Sequence, residues 1–274
     1  MKKIKFIIKN GHVNFEEKPI TDETIEEYEY HEYEPITGTN LNNPGEIRII
    51  IQNQDIFTHP SESYFLVEGR PTKDDTAFAD TDVFTLTNNG MMHLFSNIKY
   101  RLSEQEVELL FYPGQSTTML GLLKYPDDFS KSIGLNQLWY EDNTSTASIV
   151  DNNGFKIRQS YIIRMPNPKG LFSFQLPLKH IFGFTEDYDK VVYGFTQRLT
   201  LVRKADSNAI FKEAAADDKK IDIQKISRFI PHVLPADGEK LQLYKTTESK
   251  SKLPVAYRMR QQFLSLPASL GDCR

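Results

Sequence analysis

The sequence has one cysteine, one tryptophan, no surplus of positive charge and no apolar run long enough to cross a bilayer. Each shortage removes a class of protein. Cys273 stands beside the C-terminus with no second cysteine to pair with, so a small secreted disulfide scaffold is excluded and a reducing, intracellular setting is expected. A formal net charge of -4 gives no overall electrostatic reason to bind nucleic acid or an acidic membrane. Residues 2–9 hold Ile4, Phe6, Ile7 and Ile8 between lysines. That stretch is too short and too interrupted for a signal-peptide core or a membrane span, and it reads as a strand or a loose arm.

Catalytic patterns are equally scarce. The six histidines, His12, His31, His59, His93, His180 and His232, are scattered, and none forms the His-x-His pair of a metal-binding sandwich, so no metal ligand is nominated. No serine sits in a Gly-x-Ser-x-Gly elbow, and Cys273 is too near a terminus to serve as a nucleophile. Gly90, Gly114, Gly121, Gly134, Gly154 and Gly170 are isolated, with no phosphate-cradling glycine motif among them. Glu141 and Asp142 beside Trp139 and Tyr140 have the composition of a sugar-binding cleft, but adjacent strand carboxylates point to opposite faces and make no acid/base pair. The expectation is a protein that is not an enzyme, with no catalytic residue, no metal and no cofactor.

What the sequence does contain is a core. With 274 residues, 39% hydrophobic and 12% aromatic, it can bury one large β domain or two smaller ones. Residues 16–34 alternate acids with Tyr28, Tyr30 and Tyr33, and read as a mobile acidic arm or, functionally, a docking segment for a basic surface with the tyrosines as anchors. Asn43-Pro44-Gly45 then turns the chain into Glu46-Ile47-Arg48-Ile49-Ile50-Ile51, whose β-branched residues mark a strand. Residues 64–67 follow as a strand, residues 68–82 as a polar loop, and residues 83–87 run into Asn88-Asn89-Gly90, the signature of a tight hairpin. Alternation continues through Ile98, Tyr100 and Leu102, and Glu104, Glu106 and Glu108 read as the solvated face of an edge strand. Met119, Leu122 and Leu123 fall at helical spacing, with Ser116 or Thr117 available as N-cap. Strands are expected at residues 155–163, 172–176, 191–202 and 221–233, a helical turn at 178–184 and a surface excursion at 205–220. Many strands, few helices and no fixed repeat imply an all-β sandwich.

The order of several short motifs resembles the double-jelly-roll-like proteins of Polinton/Maverick elements and adintoviruses. Gly45 to Asp55, Ser63-Tyr64-Phe65-Leu66-Val67-Glu68-Gly69 and Asn88-Asn89-Gly90 to Phe95 carry its first part. Ile98 to Leu102, Pro113-Gly114 with Ser116-Thr117-Thr118-Met119, Ile181 to Tyr188 and Ile230-Pro231-His232-Val233 extend it, so that it covers most of residues 35–263. The resemblance implies a capsid-like structural protein: tandem jelly rolls, self-association as a homotrimer with other capsid subunits, no catalysis, and residence inside the cell or in a virion. After Tyr257-Arg258-Met259-Arg260-Gln261-Gln262-Phe263 the sequence departs from the family, near where a second jelly roll would begin. The implied division is a flexible arm at 1–34, a jelly-roll sandwich at 35–234, and a linker with the start of a truncated second jelly roll at 235–274. The alternative from another class is a single-sandwich carbohydrate- or protein-binding module using Trp139, Tyr140 and nearby loops.

Overall fold

A computed structural model describes residues 24–36, 40–52, 55–73, 82–164, 170–212, 219–248 and 255–262. Antiparallel β-sheet is the main regular structure of the described chain. Strands β1 (Ile25–Tyr33), β3 (Phe57–Thr58), β4 (Tyr64–Lys73), β8 (Phe172–Pro177) and β11 (Lys219–Pro235) make one sheet, ordered β1-β11-β4-β8 with β3 also on β11. A second sheet is ordered β2-β9-β6-β7, from β2 (Gly45–Ile51), β6 (Phe95–Leu102), β7 (Gln105–Phe111) and β9 (Gln197–Arg203). β5 (Phe84–Leu86) and β10 (Ile210–Lys212) form a separate ribbon. Setting aside β3 and the ribbon, the eight principal strands alternate between sheets except at the β6–β7 hairpin, with β1 beside β11, which is the wiring of a jelly roll.

Alternation along each strand builds the core. In β2, Ile47, Ile49 and Ile51 are buried while Glu46 and Arg48 pair with each other outside. Phe65 and Val67 of β4, Ile98 and Tyr100 of β6, Leu199 and Leu201 of β9, and Phe174 and Leu176 of β8 meet between the sheets. Ile223 and Ile226 of β11 join them on either side of a bulge between Ile223 and Lys225, so their spacing departs from the ordinary two.

Several elements differ from the sequence expectation. Ile25–Tyr33 is not part of an arm: it is the first strand of the sandwich, paired antiparallel with β11 from Ile25↔Pro235 to Tyr33↔Arg228. Its glutamates are tolerated because it is a sheet edge, and its tyrosines find partners on this same chain. Tyr28 Oη meets His59 Nδ1 at 3.0 Å, Tyr30 Oη donates to the Glu62 carbonyl at 3.3 Å, and Tyr33 Oη meets His232 Nε2 at 2.9 Å. β4 runs on to Lys73, through the start of the expected polar loop. Asn88-Asn89-Gly90 makes no hairpin: Asn89 is left-handed, but a 3₁₀ turn (Gly90–Leu94) follows and β5 pairs with β10 instead. Residues 155–163, expected to be extended, lie instead in α2 (Asn153–Gln159) and the π turn that continues it (Ser160–Arg164). Asn152 accounts for this, because its side chain accepts a hydrogen bond from Phe155 N and so serves as an N-cap. The strand expected from residue 191 begins only at Gln197, Val192 contributing one isolated bridge to Thr58.

The helix expected after Pro113 is present as α1 (Pro113–Lys124), starting on proline, whose missing N–H costs nothing in a first turn. Neither Ser116 nor Thr117 caps it; Tyr112 precedes it in a left-handed conformation without a side-chain cap. The remaining helices are α3 (Gly183–Asp187) and α4 (Asp237–Glu248), and no described helix is long and apolar enough to cross a membrane.

Candidate assembly surfaces

The residues with chemical potential serve the sandwich itself. The histidines are less scattered in space than in sequence. His31 and His232 stack with ring centroids 3.8 Å apart on β1 and β11, and His59 lies between Tyr28 and Asp189, to which its Nε2 is 2.7 Å. His93 packs behind Gly114 at the start of α1, and His180 lies against Tyr125 and Phe129 with a hydrogen bond to Gln137. Burial pushes both His93 and His180 down to about 4, so both are neutral at physiological pH. Among the described residues no group of three or more His, Cys, Asp or Glu is disposed to hold a metal ion. His12 and Cys273 lie outside the described residues.

Trp139 is only 4% exposed, set edge-on to Tyr125 and Phe129, and an added Cβ at Gly121 would run into its ring. It therefore offers no stacking platform to a sugar. Asp142 pairs with Arg158, a fully buried guanidinium that also donates to the carbonyls of Leu86 and Tyr140, tying this loop to the β5 ribbon. A cavity of about 220 Å³ lies elsewhere, at the β1 end of the sandwich, between Glu27, Glu29, His31, Asp55, His232 and Lys240.

Glu108 is the main departure from sequence reasoning. Expected on a solvated face, it is 1% exposed. A bulge explains the change: Tyr100 opposes Glu108 and Arg101 opposes Glu106, leaving Val107 as the extra residue, so both Val107 and Glu108 are buried while Glu106 stays outside. The inward carboxylate accepts three backbone N–H groups, from Gly183 at 3.1 Å, Phe184 at 3.0 Å and Arg260 at 2.8 Å. Burial raises its pKa, and the three N–H bonds oppose that rise.

Through Glu108 the extended residues 255–262 are fastened to the sandwich. Tyr257 packs on Phe184 and donates its hydroxyl to the Val107 carbonyl at 2.8 Å. Arg258 grips Asp187 by its backbone N and two guanidinium nitrogens, which holds the Asp187 carboxyl down at about 2. Arg260 binds Glu186 and the Lys179 carbonyl, and Glu186 also binds Lys124 of α1. Gln262 meets Ser116 and Gln115 in the first turn of α1. Gly183 permits this approach, since a Cβ there would collide with the Arg258 carbonyl. The sequence signal was the dense Tyr-Arg-Met-Arg run, which composition alone assigns no partner.

α1 turns the other way from its apolar pattern. It buries Pro113, Gly114, Thr117 and Gly121, the small side of the helix, while Met119, Leu122 and Leu123 are 62%, 55% and 84% exposed. Three large apolar side chains on one outward face are what a contact with another surface requires. The strand order defines a jelly-roll module, and α1 gives it an outward apolar face.

Comparison with known proteins agrees with that class. The sequence profile of the double jelly roll-like domain matches residues 84–267, more than half of the chain, and the chain belongs to this family. Among solved structures the fold is similar to the Faustovirus major capsid protein (TM-score 0.51, 12% identity, 85% of this chain and 58% of that one). It is similar to a chain of the Sputnik virophage (0.53, 9%, 86% and 53%). It is also similar to the mavirus major capsid protein (0.50, 13%, 85% and 51%). The chain thus spans about half the length of the structures it matches. A search of curated protein sequences gives no match.

Proposed function

We propose that this chain is a capsid-like structural protein of the Polinton/Maverick and adintovirus type, equivalent to the N-terminal of two tandem jelly rolls, and that it self-associates as a homotrimer without catalysis. The observation that carries this reading is the strand order, β1-β11-β4-β8 facing β2-β9-β6-β7, in a chain whose fold is similar to major capsid proteins. The motif order from Gly45 to Phe263 supports the Polinton type, and the coverage of about half of each matched structure supports the single-jelly-roll assignment. Met119, Leu122 and Leu123 are the first surface to assign to subunit contact, because their exposure has a cost in water that burial between copies relieves. On this reading the protein acts inside the cell until it enters a virion, its partners being other capsid subunits.

Light scattering on the eluting full chain tests this directly. A trimer mass is expected, falling to the monomer mass when Met119, Leu122 and Leu123 are all changed to serine. A monomer at every concentration would overturn the proposal. The carbohydrate-binding alternative draws no support from the buried Trp139, and glycan binding by the isolated chain would revive it.

A further inference from the structure

The outer face of the sheet β2-β9-β6-β7 carries a charge pattern that the sandwich itself does not need. Lys99 and Arg101 of β6 and Arg198 of β9 alternate with the buried Ile98, Tyr100 and Leu199, so all three point away from the core. The register sets Arg101 directly opposite Arg198, a like-charge pair that costs a sheet stability. Compensation within the chain is thin. Glu106 serves both Lys99, at 3.6 Å, and Arg101, at 3.5 Å, while Arg198 pairs with no carboxylate among the described residues. The Nε atoms of Arg101 and Arg198 are shielded from water and donate to no described group, which adds to the cost.

The opposite pattern lies at the rim of the other sheet. β1 is its terminal strand, and Glu26, Glu27 and Glu29 are exposed with no ion pair among the described residues, whereas Glu32 is held by Lys225. β1 is tied to β11 in one sheet, and the basic face looks outward from the other, so the two patches of one chain cannot meet. They are nonetheless matched: three carboxylates without a cation against three cations that share one carboxylate. We infer that the acidic edge of β1 on one copy docks against Lys99, Arg101 and Arg198 on the outer sheet face of a second copy. This contact rests on the self-association proposed above and is additional to the α1 face, which neither patch includes. Because the two patches differ, the contact is head-to-tail and passes from copy to copy. A polyanion such as nucleic acid is the poorer occupant, since the net charge of -4 repels it as a whole, whereas a second copy brings its acids and its bases in separate places.

Light scattering on the full chain at two salt concentrations is the test. Between about 0.01 M and 0.15 M the screening length falls from roughly 30 to 8 Å, so a contact between exposed charges weakens steeply. At the lower salt the mass should exceed the trimer's by about twofold or more, and at the higher it should return to the trimer's. Arg101→Glu with Arg198→Glu should leave a trimer at both salts, as should Glu26→Lys, Glu27→Lys and Glu29→Lys together. All five changes in one chain should restore the heavier species, because the patches are then exchanged in sign. A trimer at both salts in the unaltered chain overturns this inference and leaves the trimer reading standing; a monomer at both overturns the two together. A heavier species that survives either reversal also overturns it. Binding of a labelled single-stranded oligonucleotide that is lost in Arg101→Glu with Arg198→Glu, with no species heavier than the trimer, overturns it in favour of a polyanion.

Discussion

Ile25–Tyr33 and residues 255–262 both lie outside what composition marks as the sandwich, yet both are fastened to it, and by opposite means. β1 joins through a main-chain ladder to β11, which any side chain can support, so the strand tolerates four glutamates. Residues 255–262 form no named strand; they are held by Glu108, Asp187 and Glu186 accepting from named donors. A ladder survives most substitutions, whereas a side-chain latch depends on a few atoms.

The largest expected effect follows from that difference. Glu108→Ala leaves two buried N–H groups and one half-buried one without an acceptor, each buried one costing about 1–3 kcal/mol, and denaturant unfolding should show a loss of several kcal/mol. Glu108→Gln should lose less, because one oxygen still accepts while the new NH₂ faces a donor. If Glu108→Ala unfolds like the unaltered chain, the latch is not what holds residues 255–262. Gly183→Ala should come next, at about 1–3 kcal/mol, by forcing a methyl group against the Arg258 carbonyl. Exchange in residues 255–262 should accelerate while β1 is unaffected.

Acid should separate the two segments. His232 has its pKa lowered by burial and by its stacking partner His31, so the folded state resists a proton that the unfolded chain accepts near 6.5. Stability from this group therefore falls as pH drops below about 6.5. Asp187 is the reverse case in acid range: its carboxyl, depressed by Arg258, contributes fully above about 4 and loses that contribution as pH falls toward 2. Because buried His93 and His180 weaken the whole sandwich in the same acid range, protection of β1, corrected for intrinsic exchange, should fall below pH 6.5 by more than that of residues 255–262; equal loss in both segments would contradict the assignment. Tyr33→Phe, which removes the bond to His232, should cost about 0.5–1.5 kcal/mol in thermal or denaturant unfolding. Arg258→Ala is expected to be smallest in denaturant unfolding, because its side chain is mostly in solvent despite two bonds to Asp187, and the bond from its backbone N survives the change.

The legible parts of the fold were those where burial and side-chain type coincide. Ile47, Ile49 and Ile51 alternate with charged or half-exposed neighbours, Phe172, Phe174 and Leu176 do the same, and both runs are strands. β1 was illegible because a sheet edge needs no apolar face, and a ladder leaves no mark in composition. Asn152-Asn153-Gly154 had the residues of a turn, but asparagine caps helices equally well, and only the position of Phe155 N decides between them. The inward turn of Glu108 follows from one extra residue in β7, a register effect that no single-strand pattern contains. In α1 the apolar spacing was read correctly as helical, but not its direction: Gly114 and Gly121 meet His93 and Trp139, and that close packing turns the larger residues outward.

The pairing of β1 with β11 also sets a timetable. Tyr33 and its partner His232 are 199 positions apart. At the roughly 5–20 residues per second of synthesis, the first strand waits about 10–40 s before its partner leaves the ribosome. During that interval it is an unpaired strand in a crowded cell, and a β-branched sequence there would be an invitation to the wrong neighbour. Glutamates at 26, 27, 29 and 32 keep the waiting strand hydrated and mutually repelled from other nascent copies until β11 arrives to pair with it.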